Sequence, residues 1–213
     1  MDMNDSKQSA IDFLKSDVTF AGRDVYIIGS GPNGPEHYNR IPSPSEVEFI
    51  AVNKAIKIAP LTAYWLCSAP NLVYTDYFHI VMHEHLDTGV YTPILSARLT
   101  QNYPETPYYI IIGPPLGHGD YNIVSGCVRR GAGSVGVALQ TALQKQAARC
   151  VLVGVDMEGK GYFDGTANVG KRSIHPDGTW TQLPGLQHVV DNCKSNGMDV
   201  VSMSKTKLKV EMV

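Results

Sequence analysis

Apolar residues in this chain fall mostly into short unbroken runs separated by polar, glycine-rich or proline-rich stretches. The runs at 25–28, 47–52, 62–66, 78–82, 107–112, 150–155 and 199–202 are rich in β-branched and aromatic residues. Continuous apolar runs of this length mark strands covered on both faces, as in a parallel sheet. Two other stretches carry helical spacing. Residues 134–148 are built from good helix formers, with a narrow apolar face at Val137, Leu139, Ala142 and Leu143. Residues 183–195 form the second, closed by Asn196-Gly197 as a C-cap. A further helix is expected over 92–100, stopped by Asn102 and Pro104, and residues 53–58 turn helical after the second strand.

Strands alternating with helices over one length of chain predict a single doubly wound, mainly parallel α/β domain of Rossmann-like type. It spans 1–213, with 1–20 as a peripheral N-terminal lead and 157–182 as a loop region beside the site. No internal repeat or low-complexity tract interrupts it.

Composition narrows the function classes. At 213 residues the chain suits one domain with a substantial core, and 43% hydrophobic with 18% charged residues describes a soluble globular protein. A net charge of −2 offers no electrostatic reason to expect nucleic acid as a partner. Cys67, Cys127, Cys150 and Cys193 are widely spaced with no C-x-x-C pair, which predicts reduced thiols and a cytoplasmic location. The acidic start has no apolar core of a signal peptide, and no stretch reaches the roughly 18–20 apolar residues of a membrane span.

The chemistry concentrates at strand ends. Residues 25–34 run from a strand into a turn on Gly29, Gly31 and Gly34, formally a G-x-G-x-x-G spacing. Pro32 lacks an N–H, and the next strand ends in Asn53 where a NAD site would place a carboxylate. A mononucleotide site therefore fits better than a dinucleotide one. In a doubly wound sheet, ligands sit beyond the carboxyl ends of the strands. That rule gathers Gly29, Ser30 and Gly31, then Asn53, then Cys67 and Ser68, the helix start at Gly133-Ser134, and Asp156 with Glu158. Asn53 serves equally as a ligand contact or as a helix cap, whereas Ser134 is expected as an N-cap with or without a ligand. The group His79, His83, Glu84, His85 and Asp87 places His83 and His85 on one face if the run is a strand; it is read as a solvated strand end, and no metal site is expected. The 113–120 loop is either an acceptor-side lid or a rigid connection.

These features together carry a resemblance. Ile-Ile-Gly-Ser-Gly-Pro, then Val-Asn-Lys, then the unit from Ser134 to Gly-Val-Asp156 is similar to the bacterial sialyltransferases of glycosyltransferase family 42. The pattern also resembles their relatives, the flagellin-modification accessory proteins and the hydroxymethylpterin diphosphokinases. The resemblance implies a metal-independent transferase using a nucleotide-activated sugar, CMP-linked, that inverts the anomeric centre by direct displacement. It implies nucleotide contacts from Gly29, Ser30, Gly31, Asn53 and Ser134, with Gly133 supplying backbone and Asp156 closing the strand beside the nucleotide; Ser68 joins this set by its place after the third strand. Tyr162 matches a tyrosine on the leaving phosphate, and His175 is the nearest counterpart of the general base. A second phosphate-contacting tyrosine is replaced by Glu158, a departure from the pattern. Arg130, Lys171 and Arg172 are further candidates to neutralise charge. The acceptor would be a glycan or another hydroxyl compound, no cofactor is required, and a homo-oligomer would complete a site that a chain of this length leaves short. The pterin branch implies an alternative, a Mg²⁺-dependent pyrophosphokinase using Asp156 and Glu158. A nucleotide-binding accessory protein without catalysis is the other.

Overall fold

The computed structural model describes residues 20–41, 47–60, 63–67, 79, 82–83, 92–96, 108–110, 132–158, 161–166 and 181–213. Eight strands lie in them: β1 (Asp24–Ile28), β2 (Glu48–Val52), β3 (Tyr64–Cys67), β4 (Thr92–Ser96), β5 (Tyr108–Ile110), β6 (Arg149–Val153), β7 (Asp199–Ser202) and β8 (Glu211–Met212). They form one sheet in the order β5-β4-β3-β2-β1-β6-β7-β8, and every neighbouring pair is parallel. The chain begins at β1, builds outward to β5, then crosses back to lay β6 on the other side of β1. That reversal makes the β1–β6 junction the topological switch point, where successive connections leave on opposite faces.

Helix α1 (Gly34–Tyr38) and a 3₁₀ turn (Asn53–Lys57) follow β1 and β2, while α2 (Gly133–Gln144) and α3 (Leu183–Ser195) flank β6. Alternate side chains of the central strands enter two cores. Val25, Ile27, Ile50, Cys150, Leu152 and Val200 pack beneath Val137, Leu139 and Ala142 of α2 and Leu186, Val189 and Val190 of α3. Tyr26, Ile28, Phe49, Trp65, Val151 and Val153 point the other way and meet Ala55 and Ile56 of the 3₁₀ turn. A strand that must bury both faces cannot alternate polar with apolar residues, which is why β1 and β6 read as solid apolar runs. The doubly wound α/β class is therefore what the chain adopts.

Three local expectations change. Residues 92–96 form β4, not the start of a helix, paired on one side with β3 and on the other with β5. Thr92 and Ile94 suit a strand, and two hydrogen-bonding neighbours outweigh a weak helical period. Near 78–82 the described residues His79, Met82 and His83 are helical rather than extended, while Glu84, His85 and Asp87 lie outside the described residues. The strand expected over 150–155 stops at Val153, because Gly154 turns away with φ +64. Cys67, Cys150 and Cys193 are buried free thiols, and burial pushes Cys193 up to about 12. Cys127 and residues 1–19 lie outside the described residues, while Phe20, at the end of the expected peripheral lead, is buried in the core. Among the described residues, no helix is long and apolar enough to cross a membrane.

Candidate functional site at the switch point

The glycine loop after β1 lies against the exit of β6. Gly29 donates its amide to the Val153 carbonyl at 2.7 Å, and Gly31 donates to that of Gly154 at 2.8 Å. A Cβ on Gly29 would fall 2.6 Å from the Gly154 oxygen, and one on Gly31 would strike that oxygen and the Asp156 carboxyl group. Gly154 returns the constraint, since a Cβ there would sit 2.8 Å from the Gly34 Cα. The glycine spacing thus lets two backbones touch at the switch point. The amides of Gly29 and Gly31 are engaged by Val153 and Gly154, and the Ser30 and Asn33 side chains bond Val52 and Asp156.

A second wall comes from the end of β2. The Ser30 hydroxyl bonds the Val52 carbonyl at 3.4 Å, tying the β1 loop to this strand. Asn53 follows in a left-handed conformation, φ +53. That backbone is uncommon outside glycine, with asparagine among its better occupants. The fully buried Trp65 fixes it by donating its indole N–H to the Asn53 carbonyl at 2.8 Å. The Asn53 amide nitrogen donates to Ser134 Oγ at 3.2 Å, while its Oδ1 is buried with no hydrogen-bond partner among the described residues. Ser134 is the second residue of α2, not its cap. Ala132 holds the N-cap position and makes no side-chain capping bond. Val52, rather than Asn53, precedes the 3₁₀ turn as its cap, again without a side-chain bond. Gly133 packs against the Gln182 side chain, so the start of α3 abuts the start of α2.

Asp156 forms the floor. It is 6% exposed; its Oδ1 accepts from the Asn33 side chain at 3.4 Å, and its Oδ2 has no partner among the described residues. Burial raises its pKa, and the nearby Glu158 charge adds to that rise. Hydrogen bonds from the Asn33 backbone and side chain, and the proximity of His37, act the other way. A buried acceptor left without a donor costs about 1–3 kcal/mol.

The rim is the 161–166 turn. Its shape is internal, with Tyr162 N–H donating to the Thr166 carbonyl and Gly165 N–H to that of Tyr162, each at 3.0 Å. Phe163 N–H donates to the Ser30 carbonyl at 3.1 Å. Lys54, directly after Asn53, reaches Asp164 at 2.5 Å and Thr166 Oγ1 at 2.8 Å, and stands 5.3 Å from the Tyr162 ring centre. The Lys54 hydrogen bond and the Thr166 hydroxyl hold the Asp164 carboxyl well below the usual carboxylate range. Burial, then the Asp164 charge, raises the Tyr162 phenol, so its O–H remains a donor at neutral pH.

Gly29, Ser30, Gly31, Asn53, Gly133, Ser134, Asp156 and Tyr162 thus all stand at the carboxyl ends of β1, β2 and β6 or at the start of α2. Ser68, His175, Arg130, Lys171, Arg172, His118 and the 113–120 loop lie outside the described residues. Lys54, Asn33, Asp164, Thr166 and Gln182 were not expected at the site. Lys54 had a local signal as the first cation after a strand end, but its partners are over a hundred residues away, with Thr166 separated by 112. Among the described residues, no cluster of three or more His, Cys, Asp or Glu side chains is arranged to hold a metal ion. Comparison with protein-family models, with curated proteins and with solved structures found no match.

Proposed function

We propose that this protein binds a nucleotide at the β1–β6 switch point and transfers a sugar from it without a metal ion. The observation that carries the reading is the pair of buried oxygens, Asn53 Oδ1 and Asp156 Oδ2, without partners among the described residues on either side of the glycine loop. Acceptors in such positions fit the hydroxyl and amino donors of a nucleoside. The start of α2, a helix of 12 residues whose N-cap Ala132 makes no side-chain bond, directs the positive end of its dipole toward the Ser134 region, which suits a phosphate. The resemblance to the family 42 sialyltransferases makes the donor a CMP-linked sugar.

In that reaction an acceptor hydroxyl oxygen attacks the anomeric carbon, and the bond from that carbon to the phosphate oxygen breaks. His175 takes the acceptor proton, and the Tyr162 O–H hydrogen-bonds the departing nucleotide phosphate. Tyr162 suits this role because it keeps its proton at neutral pH. The acceptor is a glycan or another hydroxyl compound, and a second copy of the chain is the partner proposed to complete the acceptor side. A cytoplasmic location goes with nucleotide-sugar chemistry.

The second reading is the pyrophosphokinase: Asp156 feels the charge of Glu158 two residues on, and a carboxylate pair is what a Mg²⁺ bound to a nucleotide polyphosphate would use. Calorimetric titration with CMP, ATP and GDP, with Mg²⁺ and with EDTA, separates the two. The transferase reading expects CMP to bind equally well in EDTA, and Asn53→Ala to weaken it by roughly tenfold. Binding of ATP only with Mg²⁺, and none of CMP, would replace it with the pyrophosphokinase.

A further inference from the structure

We propose that Lys54 is a positioning residue, holding the 161–166 turn, and with it the Tyr162 hydroxyl, over the carboxyl ends of β1 and β2. The inference rests on the reading that Tyr162 serves the leaving phosphate. The shape of the turn and its placement have separate origins. The shape comes from bonds inside it: Tyr162 N–H to the Thr166 carbonyl, Gly165 N–H to the Tyr162 carbonyl, and the Thr166 N–H and hydroxyl to Asp164 Oδ1 at 3.2 and 2.7 Å. None of these involves the sheet, so the turn would keep its form wherever it lay.

Placement comes from groups on the sheet. Phe163 N–H bonds the Ser30 carbonyl on the β1 loop. On the β2 side, one ammonium makes three contacts, with the Asp164 carboxylate, the Thr166 hydroxyl and the Tyr162 ring. Exposed ion pairs contribute little, but Lys54 is only 17% exposed. Its pair is part of a network with a cation–π contact, where members reinforce one another. Lys54 also follows Asn53, whose backbone is fixed by Trp65, so the cation is delivered from a rigid base. The lysine therefore couples the nucleoside wall to the phosphate-facing rim, and the phenol loses its fixed place when the ammonium is removed.

The test uses the full chain and two readouts. Amide hydrogen exchange at Phe163 reports placement without any activity. Lys54→Met should speed it by about tenfold or more, Lys54→Arg should stay within about threefold, and the Gly29 amide should be unchanged in both. Asp164→Asn removes the same link from the other side, and the double variant should add little to either single one. Release of CMP from a CMP-linked sugar reports function. Lys54→Met should lower kcat with less than about threefold change in CMP affinity, the pattern of a contact made as the phosphate departs. Unchanged Phe163 exchange in Lys54→Met and Asp164→Asn would overturn the proposal, as would faster exchange with kcat intact. If the unmodified protein neither binds nor releases CMP, the nucleotide reading falls, while the exchange arm still decides whether Lys54 places the turn.

Discussion

The two ends of this sheet are built on opposite principles. At the amino end the charges are matched. Arg149 grips both oxygens of Asp24, Arg23 pairs with Glu48, and the connections close with backbone bonds such as Ala148 N–H to the Arg23 carbonyl and Asp199 N–H to that of Ala148. At the carboxyl end two buried oxygens lack partners among the described residues, and Asn53 and Met157 hold left-handed backbone, a conformation Gln146 also takes ahead of β6 at the amino end. Unmet polarity, rather than backbone strain, is therefore what separates the two ends, and buried polar groups without partners call for an explanation. The amino end secures the fold. The carboxyl end holds acceptors that the described residues leave unmet.

The largest effect is expected at Gly154. Alanine there meets a positive φ and two backbones at once, so Gly154→Ala should cost about 3 kcal/mol in urea unfolding. A loss under about 1 kcal/mol would mean that the two loops are not locked together.

Asp156 gives a smaller effect whose sign is diagnostic. Its pKa is raised by burial, so the folded state holds this proton to higher pH than the unfolded chain does. Stability from this group is then present below the ordinary carboxylate pKa and is lost as pH rises through the folded value. Asp156→Asn should remove that decline and leave the protein at least as stable as the parent at pH 7. A variant less stable at pH 7 would show that the charge is satisfied after all. Asp164 has the opposite sign. Its depressed pKa stabilises above the ordinary carboxylate range and is lost only as pH falls through the folded value, so the Lys54 link should persist at neutral pH. The smallest effect belongs to the amino end, where Asp24→Asn should cost no more than about 1 kcal/mol, since the Arg149 side chain is 44% exposed. A loss of several kcal/mol would place the unsatisfied end of the sheet on the wrong side.

Much of this contrast was legible in residue order. Strands β1, β2, β6 and β7 and helix α3 show as apolar runs or periods because burial on both faces, or on one helical face, leaves a local imprint. Strand β4 was not legible, since its pairing with β3 and β5 is a tertiary fact and Thr92-Pro93 opens a helix as readily as a strand. The glycine spacing marks the β1 turn but not its packing role, because the contacts that Gly29 and Gly31 allow are with Gly154 and Asp156, distant in sequence. Lys54 and Asp164 show the same limit, because two isolated charges more than a hundred residues apart form no pattern until the sheet brings them together.

Whether the unmet groups at the carboxyl end receive a nucleotide is tested most directly by amide chemical shifts, followed by NMR during titration with CMP in EDTA. Saturable shifts are expected at Ser30, Asn53, Ser134 and Asp156, with the amides of Asp24, Arg149 and Asp199 unmoved. Shifts at the amino end, or none anywhere at millimolar CMP, would contradict nucleotide binding at the carboxyl end.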